Sequence, residues 1–326
     1  MASMTDTNNK KKISENFRAI GTDVSVEIVE ALGHLEPKGA LSALEKVKNI
    51  FAKNEKIFSR FDAGSELSKI NQNLNQEVVV STEMFEVLEL CLKFYKLSDG
   101  FFDPRVIETL EKIGYDKDFK LVSGEVSPPQ RLGVVEVKPR LETFDEDLEN
   151  DLVINPAKKT VIARKRIDTT GIAKGFTVDE AVQYLKKQGF ENFVVDAGGD
   201  MFAQGRDAED NDWTIGIEGL ADDKVMLKLN QEGIATSGIS RKRWTIGDKK
   251  FHHLINPKDP EKFSHEIKTV TVIESKTVEA DGRAKVLVLM GKEKGLEFAN
   301  RNNLKALFLD YKGNVYISEA MKENVI

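Results

Sequence analysis

The sequence predicts an α+β fold in which helices and mostly antiparallel strands are interleaved. Two patterns favour this class. Short runs that alternate apolar and polar residues, such as Thr269–Ile273 (TVTVI), are typical of half-buried strands. Longer stretches with apolar residues at helical spacing, such as residues 39–61, are typical of amphipathic helices. These elements do not follow a strict strand–helix–strand order, so an α+β arrangement is preferred to a parallel one.

Capping residues and prolines set the element boundaries in the first half of the chain. Ser65 and Ser81 each precede a stretch with helical spacing, where a serine oxygen can accept from a free backbone N–H. Pro104 interrupts regular hydrogen bonding and fixes a turn. The predicted elements here are a strand at 17–30, helices at 39–61, 65–71 and 81–98, and a helix from the Pro104 turn to about 113.

The second half of the chain alternates strand and helix patterns. Strands are predicted near 152–155 and at 160–163, 193–196, 213–218, 225–229, 251–257 and 269–273. Helices are predicted at 176–187, 278–290 and 292–300, and a hairpin is predicted over 305–317. A turn bracketed by glycines is predicted at 233–238.

Composition excludes several classes of protein. The 326 residues are 40% hydrophobic and 31% charged, which is typical of a globular protein. The net charge of -6 gives no electrostatic footprint for nucleic acid. No apolar run approaches the length of a transmembrane helix. The single cysteine, Cys91, excludes an internal disulfide and a cysteine-based zinc site, and its apolar neighbours predict a buried helical position.

Two segments are predicted to lack regular structure. Residues 1–14 are polar and are predicted to be a disordered tail, followed by a folded region over 15–326. Residues 116–150 contain Pro128-Pro129 and a loose acidic run, which predicts an irregular insertion. The N-terminus lacks the apolar segment of a signal peptide, so it is either a natural cytoplasmic start or one that follows a removed export signal or lipid anchor.

A candidate anion site lies in residues 167–179 together with the glycine turn that ends at Asp200. The three residues Asp168, Thr169 and Thr170 are good helix N-caps, and Lys174 places a cation beside the helix start. Glycines in both segments allow close backbone approach. This pattern predicts a phosphorylated ligand between the two turns. The alternative is a capped helix on a strand, with glycines at tight corners.

Histidine and aspartate residues further along could supply chemistry. His252 and His253 fall on a predicted strand, so their rings should point to opposite faces, and one neutral imidazole could act as a general base. The alternative is a histidine bonded in the core. Asp281 lies near a predicted helix start, where a carboxylate is stabilised and could hold Mg²⁺. The alternative is a capping aspartate.

Seven short motifs in one order resemble those of the ApbE family, the flavin transferases that move FMN from FAD onto a protein threonine. The resemblance covers about residues 17–320. The motifs are Phe58–Asn71 (FSRFDAGSELSKIN), Asp99–Pro104 (DGFFDP), Asp168–Gly175 with Asp179, Asp196–Asp200 (DAGGD), Ala235–Gly238 (ATSG), His253–Pro257 (HLINP) and Ala280-Asp281.

The resemblance implies a two-lobed, T-fold-type architecture with FAD in a cleft between the lobes. It also implies a Mg²⁺-dependent attack of the threonine of an acceptor protein, belonging to a redox system, on the FMN-side phosphorus, with AMP as the leaving group. By the same resemblance, His253 and Asp281 are catalytic, and the Gly171 carbonyl and Asp281 bind the metal. The residues implied to bind FAD are Ser59, Asp103, Thr170, Lys174, Gly198, Gly199, Asp200, Thr236, Ser237 and Lys285.

The resemblance suggests an extracytoplasmic, membrane-associated protein whose anchor is absent from these residues. Without such an anchor the protein would be cytoplasmic, and the residues themselves leave the compartment open.

The chain departs from the family pattern near the predicted metal. Lys285 stands four residues after Asp281, where the family usually has a metal-binding threonine. On a helix the two side chains share a face, so the ammonium can pair with Asp281 where the metal would lie. Use of Mg²⁺ therefore stays open. So do two alternatives to the transferase: an FAD-binding or flavin-trafficking protein with impaired catalysis, and a Mg²⁺-dependent FAD pyrophosphatase giving FMN and AMP.

Overall fold

A computed structural model describes residues 3–7, 10–31, 37–115, 147–217, 219–220, 225–240, 242–246 and 249–326. The helices are Pro37–Phe58 (α1), Glu66–Gln72 (α2), Thr82–Leu97 (α3), Ile107–Lys112 (α4), Leu148–Asp151 (α5), Thr170–Lys187 (α6), Thr277–Met290 (α7) and Lys292–Arg301 (α8), with 3-10 helices at Pro104–Val106 and Glu319–Glu323. None of the helices in these ranges is long and apolar enough to cross a membrane.

The strands follow the same chain order. They are Ser3–Thr7 (β1), Lys10–Ala19 (β2), Thr22–Ala31 (β3), Val78–Val79 (β4), Leu152–Asn155 (β5), Thr160–Ala163 (β6), Phe193–Ala197 (β7), Asp200–Gln204 (β8), Trp213–Gly216 (β9), Met226–Leu229 (β10), Glu232–Gly238 (β11), Arg243–Ile246 (β12), Lys249–His252 (β13), Ile267–Glu274 (β14), Lys305–Asp310 (β15) and Val315–Ile317 (β16).

A nine-stranded sheet dominates the described part of the chain. Its order is β1-β2-β3-β7-β8-β11-β14-β15-β16. Every neighbouring pair in it is antiparallel. Smaller sheets pair β9 with β10, pair β12 with β13, and join β4, β6 and β5. The predicted α+β class with mostly antiparallel sheets is therefore confirmed, whereas the division into two lobes stays a prediction.

The prediction of a disordered N-terminal tail is wrong. Residues 3–7 and 10–14, predicted to be disordered, lie in β1 and β2, and Ser3 pairs with Ser14. The run of lysines, Lys10–Lys12, gives this segment no apolar strand pattern in the sequence. In the structure Ile13 is buried, and the Lys12 ammonium lies 2.6 Å from Glu27 on β3. Pairing with a strongly apolar neighbour strand outweighs the local polarity here.

Other boundaries also differ from those predicted. The predicted strand at 17–30 is part of two strands, joined at Ile20-Gly21, where both residues have positive φ. The segment 233–238, predicted to be a turn, is strand β11, because its glycines pack against neighbouring backbone rather than reverse the chain. The strand predicted at 251–257 ends at His252. Of the predicted insertion, residues 116–146 lie outside the described ranges, and residues 148–150 begin the short helix α5.

Several predictions of local structure are confirmed. The Ser65 hydroxyl accepts from the Ser68 N–H at 3.0 Å, and the Ser81 hydroxyl accepts from the Met84 N–H at 3.1 Å. Cys91 is fully buried on α3. Each serine replaces one of the backbone partners that the first turn of a helix lacks.

Two helices, α6 and α7, place the candidate site. Apolar residues of α6 share a core with α1 and β7, and those of α7 share one with β11 and β14. The helices contact each other at Gly175, where a Cβ atom would lie only 2.8 Å from the Thr277 carbonyl oxygen. Glycine at this position therefore lets the two helix starts come together.

Candidate functional site

The start of α7 is capped by a residue of α6. Both Asp179 carboxylate oxygens accept backbone N–H groups, from Thr277 at 2.8 Å and from Val278 at 3.0 Å. Burial nevertheless raises the pKa of Asp179, which these two hydrogen bonds offset only in part. Asp281 lies beyond the first turn of α7 and does not cap it, so the capping alternative for Asp281 is wrong. Asp281 is left available to the site.

Four charged side chains meet at this helix junction. The Lys174 ammonium pairs closely with the Asp200 carboxylate, which is buried at the start of β8. The Lys285 ammonium donates to the Gly171 carbonyl oxygen and, at 3.2 Å, to Asp281 Oδ1. We call these four side chains the charged cluster. It balances two ammonium groups against two carboxylates, as buried charges require.

The hydrogen bonds of Asp281 connect the two helices. Its Oδ1 atom accepts from Lys285, and its Oδ2 atom accepts from the Gly175 backbone N–H at 3.3 Å. Its side chain is only 3% exposed. The carboxylate is therefore fixed in orientation by groups from both α6 and α7.

The electrostatics of the cluster are asymmetric. Burial, followed by the negative charge of Asp281, raises the pKa of Asp200 from 3.8 to about 6. Burial alone would lower the pKa of Lys174, but attraction to Asp200 and Asp281 outweighs it and raises that pKa. Asp200 faces both a cation and a second carboxylate, whereas Lys174 gains from both carboxylates. Lys174 thus stays positively charged.

His253 follows strand β13, and its surroundings favour a neutral imidazole. Its Nδ1 atom lies 3.4 Å from the Lys242 carbonyl oxygen, which can only accept, so Nδ1 carries the hydrogen and Nε2 keeps a lone pair. Burial, and then the positive charges around it, including Lys242 and Lys285, hold the pKa of His253 well below 6.5. The neutral imidazole required of a general base is therefore favoured.

His252 has different surroundings, as the strand alternation predicts. It is buried, its Nε2 atom lies 3.1 Å from the Ser264 carbonyl oxygen, and its ring centroid lies 5.4 Å from that of His265. Burial, and then the charge of His265, lowers the pKa of His252 to about 4. His252 fits the alternative of a bonded core histidine, which leaves His253 as the candidate base.

The other residues predicted to bind FAD have varied partners. Asp103 is buried and bound by the Arg105 guanidinium at 2.7 Å. The Thr236 and Thr271 hydroxyls lie 2.9 Å apart on adjacent strands. Gly198 and Gly199 form the β7–β8 turn, both with positive φ. Ser237 is buried, Ser59 is partly exposed just after α1, and Thr170 is exposed at the start of α6. Their contacts with FAD stay predictions.

Two further residues hold the site together and were absent from the predicted set. The Asn71 amide brackets Ile167, donating to its carbonyl and accepting from its N–H, both at 2.9 Å. Arg60 lies 3.5 Å from Asp168 and stacks on the rings of Phe61 and Tyr115, at 4.4 Å and 4.5 Å from their centroids. Asn71 ends a quoted motif, which was a usable signal. Arg60 belongs to the same motif, but nothing in the local sequence marks its contact with the distant Tyr115.

A cavity of about 610 Å³ is lined by none of the four residues of the charged cluster. Asp103, one of the residues predicted to bind FAD, lines it. The lining comes from two of the quoted motifs and their neighbours: Tyr95, Lys96, Asp99, Gly100, Asp103, Arg105, Asp147, Pro257 and Lys258. Its volume is typical of a ligand pocket.

Comparison with known proteins now gives the family. The family model described as "ApbE family" matches residues 20–308. The chain belongs to the ApbE family. It is 26% identical over 325 residues to the FAD:protein FMN transferase of Haemophilus influenzae, covering 95% of this chain and 90% of that protein. It is 25% identical over 304 residues to that of Vibrio cholerae, covering 89% and 85%.

Solved ApbE structures share the fold. The flavin transferase ApbE from Vibrio cholerae superposes with a TM-score of 0.78 at 24% identity, covering 97% of this chain and 99% of that one. The apo form of the Pseudomonas stutzeri flavinyl transferase ApbE gives a TM-score of 0.77 at 23% identity, covering 98% and 99%. The α+β architecture of this chain is thus that of the ApbE family.

The ApbE family implies a divalent metal, and the residues present here do not fit one at the predicted position. The two predicted oxygen ligands, the Gly171 carbonyl and Asp281, both accept hydrogen bonds from the Lys285 ammonium. A charged lysine has no lone pair with which to bind a metal ion. Within the described ranges, no group of three His, Cys, Asp or Glu side chains could hold one either.

Proposed function

We propose that this protein transfers FMN from FAD to a threonine hydroxyl of an acceptor protein of a redox system, releasing AMP. The observation that carries the proposal is the charged cluster beside a neutral imidazole. Lys174 and Lys285 supply two positive charges next to the start of α6. Burial, followed by nearby positive charges that include Lys285, lowers the pKa of His253 and keeps its imidazole neutral. Membership of the ApbE family, with curated relatives named FAD:protein FMN transferases, supports the same activity.

The chemistry follows from these groups. The threonine oxygen forms a bond to the phosphorus nearest the flavin, and the bond from that phosphorus to the bridging oxygen breaks. AMP leaves with the bridging oxygen, and the threonine proton passes to Nε2 of His253. Phosphoryl transfer depends mainly on alignment and charge neutralisation. In this proposal Lys174 and Lys285 neutralise the pyrophosphate, while the dipole at the start of α6 adds a favourable field.

The test uses the full chain, FAD and a purified acceptor domain of a flavin-carrying redox protein. A matched acceptor has its threonine replaced by alanine. We expect FMN to become covalently attached to the threonine form alone, as detected by flavin fluorescence of the denatured acceptor. One AMP should be released per flavin attached. Free FMN and AMP without labelling would instead identify a pyrophosphatase. Unchanged FAD would identify a binding protein, and either result would overturn the proposal.

A further inference from the structure

The side chain of Lys285 is held in one place by contacts with both α6 and α7. Lys285 and Asp281 are one turn apart on α7, and the Lys285 side chain, 19% exposed, runs along the start of α6. A Cβ atom on Gly171 would lie 3.5 Å from its Cδ and Cε atoms, so the lysine stem packs against the glycine backbone. The ammonium is thereby held at a fixed place, with the Gly171 carbonyl and the Asp281 carboxylate as acceptors.

The charges at this place are already balanced. Asp281 is buried and pairs with Lys285, and Asp200 is buried and pairs with Lys174. A divalent cation at the same oxygens would have to displace the ammonium or bear its repulsion. Mg²⁺ also demands near-octahedral oxygen ligands, whereas both Asp281 oxygens are already held by hydrogen bonds, Oδ1 from Lys285 and Oδ2 from the Gly175 N–H at 3.3 Å. Lys285, together with Lys174, thus presents positive charge to a ligand at the start of α6.

We infer that the Lys285 ammonium is the built-in cation of this site, so that FAD binding and flavin transfer need no divalent metal ion. The inference rests on the proposed function, because it takes the pyrophosphate of FAD as the ligand. Lys285 donates hydrogen bonds to a protein carbonyl and a carboxylate, which leaves its remaining donor for a phosphate oxygen.

The first experiment uses the unmodified protein. Affinity for FAD is measured by flavin fluorescence in EDTA and again with excess Mg²⁺, and transfer rates are measured under the same two conditions. We expect each quantity to change by less than about threefold. Titration with Mn²⁺, followed by electron paramagnetic resonance, should show no stoichiometric bound ion. A requirement for Mg²⁺, or one tightly bound Mn²⁺ per chain, overturns the inference.

Two variants at one position sharpen the test. Lys285→Thr removes the ammonium and supplies a hydroxyl oxygen, so FAD affinity should fall about tenfold or more in EDTA and recover with Mg²⁺. Lys285→Met removes the charge without adding an oxygen ligand, so the loss should persist with Mg²⁺. Mn²⁺ should bind to the threonine variant alone. If both variants keep the unmodified affinity in EDTA, Lys285 is not the cation of the site.

A control lysine separates this effect from general loss of charge. Lys305 is also partly buried in an ion pair, 2.6 Å from Glu232, and lies on β15 outside the charged cluster. Lys305→Thr should bind FAD like the unmodified protein in both conditions. If a variant fails to fold, the comparison of EDTA with Mg²⁺ on the unmodified protein still decides the inference. Lack of FAD binding by the unmodified chain in every condition would contradict the proposed function itself, whereas a strict Mg²⁺ requirement contradicts this inference alone.

Discussion

The two sides of the candidate site are stabilised by different forces. On the α6–α7 side, buried carboxylates and close backbone contacts fix the charges, as in the capping of α7 by Asp179. On the opposite side, His253 follows a two-stranded sheet, β12–β13, which is held by aromatic residues. We call these residues the aromatic cluster: Tyr115, Trp244, Phe251 and Phe263.

Because of this difference, the two sides make different contributions to the site. Hydrogen bonds to buried charges are directional, so the α6–α7 side determines where the ammonium groups lie. Apolar contacts are not directional, and a two-stranded sheet has little stability of its own, so the position of His253 depends on packing against α4 and its neighbours. Substitutions on the first side should therefore act on stability and FAD affinity, and those on the second side on stability and the rate.

The largest expected effect is that of His253→Gln on the rate. If His253 is the general base as proposed, its loss should lower the single-turnover rate of flavin transfer by about 10²–10⁴-fold, while FAD affinity changes little. His252→Gln is the matched control, since His252 faces Ser264 and His265 instead, and it should retain the rate in folded protein. An unchanged rate in His253→Gln would show that His253 is not the general base.

The second effect concerns pH and the stability of the aromatic side. The pKa of His252 is lowered from 6.5 to about 4 in the folded protein, mainly by burial. Below pH 6.5 the unfolded chain binds a proton that the folded chain excludes, so stability falls as the pH falls towards 4. The loss approaches about 3 kcal/mol at the lower limit.

Urea unfolding at pH 7 and at pH 4.5 measures this loss. Comparison with His252→Gln isolates the histidine, because all other titrating groups are shared. The unmodified protein should lose more stability between the two pH values than the variant does. Equal losses would show that His252 does not titrate differently in the folded and unfolded states.

The third effect tests the close contact on the α6–α7 side. Gly175→Ala places a methyl group 2.8 Å from the Thr277 carbonyl oxygen and from Val278 Cα, so the helices must move apart. We expect a loss of about 1–3 kcal/mol in the free energy of unfolding, measured with urea. Gly64→Ala is the control, because its nearest neighbour, at 3.3 Å, is an exposed Asp62 side chain. Equal stability of the two variants would show that α6 and α7 tolerate separation.

Local signals predicted much of the fold and part of the site. Ser65 and Ser81 cap the helices where the sequence places them, because a cap depends only on its own first turn. The contact between Lys285 and Asp281 was also predictable from helical spacing. The third partner, the Gly171 carbonyl, lies on another helix more than a hundred residues away in the chain, so the family resemblance placed it beside Asp281 and no local signal did.

The missed features share this dependence on distant partners. The lysine-rich start forms a strand because β3 lies beside it, and Asp179 caps a helix that begins about a hundred residues later. Arg60 lies against two rings, of which Tyr115 comes from a separate segment. Such pairings follow from tertiary packing, which periodicity and capping rules do not contain.

The smallest expected effect tests how firmly the aromatic side positions His253. The Trp244 indole N–H donates to the Ile113 carbonyl at 2.7 Å, and its ring lies 5.9 Å from that of Tyr115, which in turn lies 6.4 Å from His253. Trp244→Phe keeps an aromatic ring but leaves this buried carbonyl unpaired, which should cost about 1–2 kcal/mol in urea unfolding.

The rate of flavin transfer distinguishes a local effect of Trp244→Phe from a global one. Because β12–β13 carries the residue before His253, loosening this sheet should lower the rate of flavin transfer several-fold while FAD affinity is retained, since Lys174 and Lys285 lie on the other side. Addition of saturating FAD should not restore the rate. If FAD affinity falls as much as the rate does, the two sides are not independent, and the division between a charge-holding side and a base-positioning side is wrong.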